Sequence, residues 1–399
     1  MSPETTGQST AADRKRIWYL IIALSVGGTE RTLIDLANNV NHDRYEVTIW
    51  TLFEQNPLEM AVAEEVTLHS LGAEGTASSG GDHYVERAEN PLDYLRAPLR
   101  FLALVRTNPP DVIQSFLFYD NLIARFAGII SPETTVITGV RSVPENRNPI
   151  TDLLDRITVP LSDRIVSNSK AGAEFVLDRG ASTEQTEVIY NGRDIDRYAT
   201  ASSADVKDTL DVPDGARIVG TVGRLIERKG HRDLLAAWPT VREHCPETHL
   251  LLIGGGPERG SLERYATELG CHKSVHFLGF RDDVPALLDS MDMFVFPSHF
   301  EGLPGALIEA MAARLPIVTT PATGNAELVD NYRNGLYVTA HSPAEIEWAI
   351  VRLLENQSLA TSLGEAAEAE AQRRFSLNHM VTGFERLYDT VLGGSSESD

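Results

Sequence analysis

Residues 301–312 read Glu301-Gly302-Leu303-Pro304-Gly305-Ala306-Leu307-Ile308-Glu309-Ala310-Met311-Ala312, between the short apolar runs 293–296 and 316–319. Two such runs flanking an apolar helical pattern make a strand–helix–strand unit, whose two strands lie parallel in one sheet. Gly302 and Gly305 permit close backbone approach, and Pro304 suits a first helical position. Backbone N–H groups at such a helix start form an anion site. Glu301 falls in the loop and Glu309 about one turn into the helix, so each carboxylate can accept hydrogen bonds from vicinal hydroxyls. The same residues also suit a capped helix start with two solvated glutamates.

Working outward, the alternation continues on both sides. After residue 215, strands are expected at 217–223, 248–253, 274–278, 293–296 and 316–319, and helices at 231–243, 258–270, 283–290, 304–313 and 344–354. Before it, strands are expected at 17–26, 46–52, 111–115, 134–140 and 164–167, and helices at 31–40, 92–106, 122–130 and 171–179. Residues 71–89 are polar and Gly/Ser-rich and read as a loop, and the irregular stretch 191–215 reads as a hinge. The fold class is therefore α/β. Two Rossmann-like parallel-sheet domains, residues 1–195 and 196–375, are expected to face a central cleft that clamps a ligand at the strand C-termini. Residues 376–399 supply a last helix (377–392) that packs back on the first domain, and a disordered tail from Gly393.

Composition bounds the function. Hydrophobic residues make up 42% and charged residues 23% of 399, a globular composition that excludes a wholly disordered chain. The net charge is −22, from 35 Lys+Arg and 57 Asp+Glu. That charge repels phosphate backbones and excludes nucleic acid as a partner. The acid excess is even, 17 against 27 in residues 1–195 and 18 against 30 in residues 196–399. Only Lys15, Lys170, Lys207, Lys229 and Lys273 are lysines. Such a surface suits concentrated salt, where self-repulsion is screened, although an ordinary acidic cytosolic protein with GC-rich codons has the same composition. Cys245 and Cys271 form no disulfide framework or metal-ligand spacing, which fits a reducing, cytoplasmic interior. Arg14-Lys15-Arg16 and the run 17–26 imitate a signal peptide, but Gly27-Gly28-Thr29-Glu30-Arg31 follows with no cleavage pattern. The run falls short of the ~20 residues that span a bilayer. A soluble protein is expected, at most peripheral on the inner face of the cell membrane.

Two further motifs bear on a ligand. Arg224 and Lys229 follow the strand 217–223 in a strand-to-helix loop, where a fork-shaped guanidinium and a point-charge ammonium suit a diphosphate; as isolated residues they would be surface cations. Gly254-Gly255-Gly256-Pro257 with Gly260 nearly matches a dinucleotide fingerprint. It has one residue too many, and no acidic residue ends the next strand, so NAD is rejected in favour of a tight turn.

In this order, Gly27-Gly28-Thr29-Glu30, Asn191-Gly192, Val222-Gly223-Arg224-Leu225, Lys229-Gly230, Gly254 to Pro257, Phe277 to Asp283, Phe296-Pro297-Ser298 and the Glu301/Glu309 run resemble the family-4 glycosyltransferases of GT-B fold, over about residues 17–375. The resemblance implies a retaining hexosyl- or other glycosyltransferase that uses a nucleotide-sugar, UDP- before GDP-, and needs no metal or other cofactor. Arg224 and Lys229 would grip the diphosphate and offset the charge of the leaving group. Glu309 would bind the ribose hydroxyls and Glu301 the donor sugar, as the remaining catalytic candidate beside the two cations. Amides around Gly302, Leu303, Pro304 and Gly305 would touch the sugar or distal phosphate, Arg281 the base, and Gly28 the phosphates on closure. Tyr119, Asp120 and Asn121 would face the acceptor, a glycan, lipid-linked or small molecule. Relatives place a His where this chain has Arg141, which supplies charge but is a poor base.

Arg87, Arg96, Arg100 and Arg106 interleave with Leu92, Leu95 and Leu99, a face that would touch anionic lipid. However, Glu86, Glu89 and Asp93 nearly cancel that charge, and core packing also accounts for the apolar side. His83 reads as a solvated surface histidine. Two other functions fit the same fold: a non-catalytic nucleotide-sugar binder or partner subunit, and a nucleotide-sugar epimerase, against which the Glu301/Glu309 pair argues.

Overall fold

The computed structural model describes residues 14–25, 27–73, 75–78, 85–88, 92–141, 148–200, 212–213 and 215–393. The described residues fall into two units, one of 14–78, 85–189 and 380–393, the other of 190–379. The boundary lies at Ile189 and Tyr190 rather than at 195. Ile189 N–H still donates to Ser167 in the first unit (3.0 Å), whereas Arg193 N–H donates to Phe375 in the second (2.9 Å).

In the first unit, strand β1 (Lys15–Ile21) is buried from Ile17 to Ile21, as a central parallel strand covered on both faces must be. It pairs with β2 (Tyr45–Phe53), which pairs with β3 (Thr67–Ala73). On its other side follow β6 (Val112–Ser115), β7 (Thr135–Val140), β8 (Arg164–Ser167) and β9 (Thr186–Val188), after the short antiparallel pair β4 (Gly75–Ser78) and β5 (Val85–Ala88). The seven-stranded order is β3-β2-β1-β6-β7-β8-β9. Trp18 and Leu20 enter a core with Phe101, Val105, Ala124 and Ala127. Tyr19, on the opposite face, places its hydroxyl 2.9 Å from that of Tyr388 on the terminal helix Leu377–Val391. Tyr388 donates to Gln114 (2.6 Å) and Tyr45 to Asp389 (2.8 Å), so this helix packs on the first unit as expected. Burial pushes the Tyr19 and Tyr388 phenols up.

Two expectations are corrected here. Part of the stretch 71–89 is strand: β3 runs to Ala73, and β4 and β5 satisfy each other's backbone. An edge strand with polar outward positions lacks the apolar run that betrays β1. His83 lies outside the described residues, as do 201–211 of the hinge and the tail from 394. In helix Asp93–Thr107, core packing takes Ala97, Phe101 and Val105, but leaves Leu95, Leu99 and the capping Leu92 exposed. Among the described residues, no helix is long and apolar enough to cross a membrane.

The second unit holds β10 (Arg217–Val222), β11 (Thr248–Ile253), β12 (Val275–Gly279), β13 (Met293–Phe296), β14 (Ile317–Thr319) and β15 (Leu336–Tyr337), all parallel, in the order β12-β11-β10-β13-β14-β15. Alternate strand residues enter opposite cores. Ile218, Leu251, Phe294 and Ile317 face Leu307, Met311 and Ala367, while Val219, Leu250, Val295 and Val318 face Leu234, Trp238 and Ile350. Strand order reverses between β10 and β13, and a doubly wound sheet binds ligands at the strand C-termini of such a point.

At that point glycines let loops touch. Gly254 has φ +129°, and an added Cβ would overlap the Gly223 carbonyl oxygen. We expect Gly254→Ala to cost about 3 kcal/mol in urea unfolding. Gly270→Ala, at φ +72° with open space around it, should cost about 1 kcal/mol. Equal midpoints for the two variants would refute the packing argument.

Candidate functional site

The loop after β10 leads through Gly223 and half-buried Arg224 into a tight 3₁₀ turn, Glu227–Lys229, and then helix His231–His244. Gly230 takes φ +68°, and a Cβ there would overlap the Pro297 carbonyl beyond β13. The two loops are laced together. His299 N–H donates to the Arg228 carbonyl (2.8 Å), and the Arg228 guanidinium to Phe300 O (3.0 Å).

This lacing brings Lys229 onto Glu301. The Lys229 ammonium donates to Glu301 Oε1 at 2.5 Å, and Ser298 Oγ reaches the same oxygen at 2.5 Å. Arg228 lies 3.9 Å from Oε2. The side chains of Lys229 and Glu301 are only 12% and 8% exposed, so the charges are taken largely out of water and stand on each other. The ammonium also sits 4.8 Å from the Phe296 ring centroid. Behind it, His231 is buried with Nδ1 3.2 Å from the Lys229 carbonyl, and burial pushes this imidazole down to about 4.

Glu301 is followed by a pinned turn. Gly324 N–H donates to the Glu301 carbonyl (3.2 Å), and a Cβ on Gly324 would overlap the Gly302 oxygen. Leu303 is buried in the core, and Pro304 caps helix Gly305–Ala312 from an extended backbone. Leu307 and Ile308 N–H donate to the Pro304 carbonyl (3.2 and 3.4 Å), so the first-turn amides left without an intrahelical acceptor are those of Gly305 and Ala306. Glu309 is held by Arg193, whose Nε donates to Oε1 at 3.1 Å. The same guanidinium lies against Gly305, where a Cβ would collide with it.

Sequence reasoning missed Arg193, Arg228 and Ser298. Arg193 directly follows the quoted Asn191-Gly192, but its partner lies in a distant helix. Arg281 is engaged: its Nε and a terminal nitrogen donate to both oxygens of Asp283, at 2.7 and 2.5 Å. Beside it, Phe280 is 68% exposed and lies against Gly255. The triple glycine run serves as the expected tight turn, with Gly256 pressed on Leu225.

In the first unit, Gly28 opens helix Gly28–Asn39, with nothing within 4 Å of where a Cβ would stand. Tyr119 is 60% exposed. Asn121 is corrected. Its amide is buried, accepting from Ser115 Oγ (2.7 Å) and Gly139 N–H (3.2 Å) and donating to Gly139 O (2.8 Å). Its side chain clamps β6 to β7 instead of facing a ligand. Asp120 accepts from Leu117 N–H at the helix start. Arg141 is buried over the Phe116 ring at 5.1 Å, and burial pushes its guanidinium down to about 10.

Residues 203–370 match the model of the glycosyl transferases group 1 family, and residues 26–197 that of glycosyltransferase family 4. The chain is 27% identical over 362 residues to the lipopolysaccharide core biosynthesis glycosyltransferase LpsE of Rhizobium meliloti, covering 90% of this chain and 95% of that protein. It is 28% identical over 272 residues to the D-inositol 3-phosphate glycosyltransferase of Corynebacterium kroppenstedtii, covering 65% of this chain and 59% of that protein. The crystal structure of Anabaena Alr3699/HepE in complex with UDP and glucose superposes with a TM-score of 0.78 at 23% identity, covering 94% of this chain and 99% of that one.

The Lys229–Glu301 pair can be tested by a double-mutant cycle. Lys229→Met leaves a nearly buried carboxylate to Ser298 and Arg228 alone and should cost about 2 kcal/mol in urea unfolding. Adding Glu301→Gln should recover at least half of that loss. Strictly additive costs would show that the two charges do not depend on each other.

Proposed function

Because the chain belongs to the family-4 glycosyltransferases of GT-B fold, we propose that it moves a sugar from a nucleotide-sugar to an acceptor with retention at the anomeric carbon. The observation that carries this reading is the cationic loop after β10 laced to the carboxylate loop after β13. Arg224 and Lys229 bind the diphosphate and neutralise its charge as the glycosidic bond breaks, so the leaving group needs no divalent metal. When Lys229 turns to the diphosphate, Glu301 keeps Ser298 and Arg228 as partners and is free to accept from donor-sugar hydroxyls. Glu309, oriented by Arg193, accepts from the ribose hydroxyls. The first-turn amides of helix Gly305–Ala312 meet the sugar or distal phosphate. Arg281 reaches the base only after leaving Asp283, and Phe280 offers a flat face beside it. The departing phosphate helps take the acceptor proton. UDP-sugars are preferred to GDP-sugars, a reading supported by the UDP bound to the Anabaena neighbour.

The acceptor we favour is a lipid-linked glycan in surface-glycan assembly, reached at the inner face of the membrane. The apolar face of the first unit supports this. Exposed side chains recur at helical spacing: Leu92, Leu95 and Leu99 on one helix, Phe126 and Ile129 on Phe118–Ile130, and Ile150, Leu153 and Ile157 on Pro149–Thr158. The second of these helices packs against both of the others. Residues 92–164 hold eight basic and eight acidic residues in a chain of net charge −22. The three helices themselves hold five basic and four acidic residues, so their apolar face is free of the acid excess that would repel anionic lipid. The same reading takes the acidic remainder as a surface suited to concentrated salt.

Incubation with UDP- and GDP-sugars and glycolipid acceptors, followed by nucleotide release and by NMR of the product anomer, tests the reaction. Retention and insensitivity of turnover to EDTA are expected. Glu309→Ala should lower turnover about 100-fold, and Arg224→Ala or Lys229→Ala should raise donor KM about tenfold. Unchanged kinetics in all three variants would overturn the site. Donor binding without transfer would favour the non-catalytic reading, and an epimerised donor the epimerase.

For the membrane face, the protein should float with phosphatidylglycerol vesicles, and Leu153→Glu with Ile157→Glu should abolish flotation. Flotation unaffected by the pair, or a stable hetero-complex in its place, would remove this partner from the reading.

A further inference from the structure

Three ligating side chains converge at strand ends of the second unit without serving the sugar-transfer site. Asp233 lies in the first turn of helix His231–His244 after β10, His299 in the loop after β13, and His341 in the loop after β15. One ligand atom from each lies within 4.8 Å of the others, and this is the one such group found among the described residues. His299 Nε2 is 2.7 Å from Asp233 Oδ2, and His341 Nδ1 is 3.5 Å from the same oxygen. The two imidazole centroids are only 3.7 Å apart.

We propose that Asp233, His299 and His341 bind a first-row divalent cation, zinc foremost. Hydrogen bonding accounts for only part of this arrangement. The His299–Asp233 contact is an ordinary bond, but 3.5 Å is too long for His341 to gain much from the shared oxygen. Yet His341 adopts φ +60°, the left-handed region that a non-glycine residue occupies at a cost. A cation supplies what holds that ring there. Zinc–ligand bonds of about 2.0–2.1 Å set tetrahedral ligand–ligand edges of about 3.3 Å; the two carboxylate-to-ring separations bracket that value, and the stacked rings would part to about 5 Å as both nitrogens turn to the ion. Two imidazoles and a carboxylate suit a borderline metal better than magnesium or calcium, which prefer oxygen. Asp233 and His299 are 19% exposed and His341 is 69% exposed, so the protein walls one side and leaves the other to water.

The ion would be a clip and not a reactant. It would join the helix start after β10 to loops after β13 and β15, two residues before Glu301. The inference stands apart from the proposed sugar transfer, because it needs only the fold and these three side chains.

The test uses the full chain, stripped with EDTA and dialysed. Co2+ titration should give visible d–d absorption saturating at one ion per chain, and Zn2+ should displace it. Metal should also raise the melting temperature of the donor-free protein. His341→Ala removes an exposed ring and leaves the fold and the transfer turnover intact, yet it should weaken Zn2+ binding about tenfold or more. Asp233→Asn and His299→Ala should do the same. His249→Ala, which breaks the other histidine pair (His249 Nδ1 to His276 Nε2, 2.9 Å), should leave binding unchanged. Absence of the cobalt spectrum, undiminished affinity in His341→Ala, or loss confined to His249→Ala would each overturn the proposal.

Discussion

A lysine ammonium and a glutamate carboxylate, both nearly withdrawn from water, face each other at the ends of two neighbouring parallel strands. Removing two charges from solvent is expensive, and their attraction repays that only when spare hydrogen-bonding capacity is also used. Here Ser298 takes part of the Glu301 carboxylate and Arg228 approaches the rest. That surplus matters for chemistry. An ion pair with no other partners is a lock, because opening it strands a charge. Here the carboxylate would stay partnered if the lysine turned away, as the proposed function requires. The glycines at 230, 254 and 324 are conditions of the arrangement, since a side chain at any of them would push apart the loops that bring the charges together.

The second carboxylate is restrained differently. Glu309 sits on a rigid helix and is held by Arg193, which also lies over the glycine that begins that helix. Arg193 belongs to the stretch that enters the second unit, and its backbone N–H is bonded to Phe375 near the stretch that leaves it. The entering and leaving chains are thus tied to the helix that presents Glu309. A loop carboxylate with exchangeable partners and a helical one with a fixed partner suit different tasks. In the proposed reaction the first would follow the reacting sugar, and the second would fix the register of the ribose.

How much of this was legible depends on how far each residue's reason lies from its neighbours. Buried parallel strands such as Ile218–Val222 and Leu250–Ile253 declare themselves as apolar runs. The edge strand Thr67–Ala73 does not, because it has polar outward positions. The helix Gln357–Arg374 was missed because its buried stripe is mostly small: Ala360, Leu363, Ala367 and Ala371. At the site, Glu301, Glu309, Arg224 and Lys229 were readable as chemistry-bearing residues at strand ends. Their pairings were not, since Lys229–Glu301 and Arg193–Glu309 join separate segments of chain. Asn121 misled for a physical reason. A polar residue just past a strand looks ligand-facing, but a buried strand end also needs its own backbone groups satisfied, and here that need took the amide.

The distribution of charge connects the site to the rest of the surface. Under the proposed function, a chain of net charge −22 would repel a nucleotide diphosphate at long range, whereas the cations of the loop after β10 would attract it only at close quarters. Added salt acts unequally on these two effects. The screening length falls from about 8 Å at physiological ionic strength to about 3 Å at 1 M, so the distant carboxylates fade first. Contacts within a few ångströms in a partly dry pocket are screened much less. An acidic protein with a compact cationic site therefore loses more repulsion than attraction as salt rises, the reverse of an ordinary basic anion-binding surface.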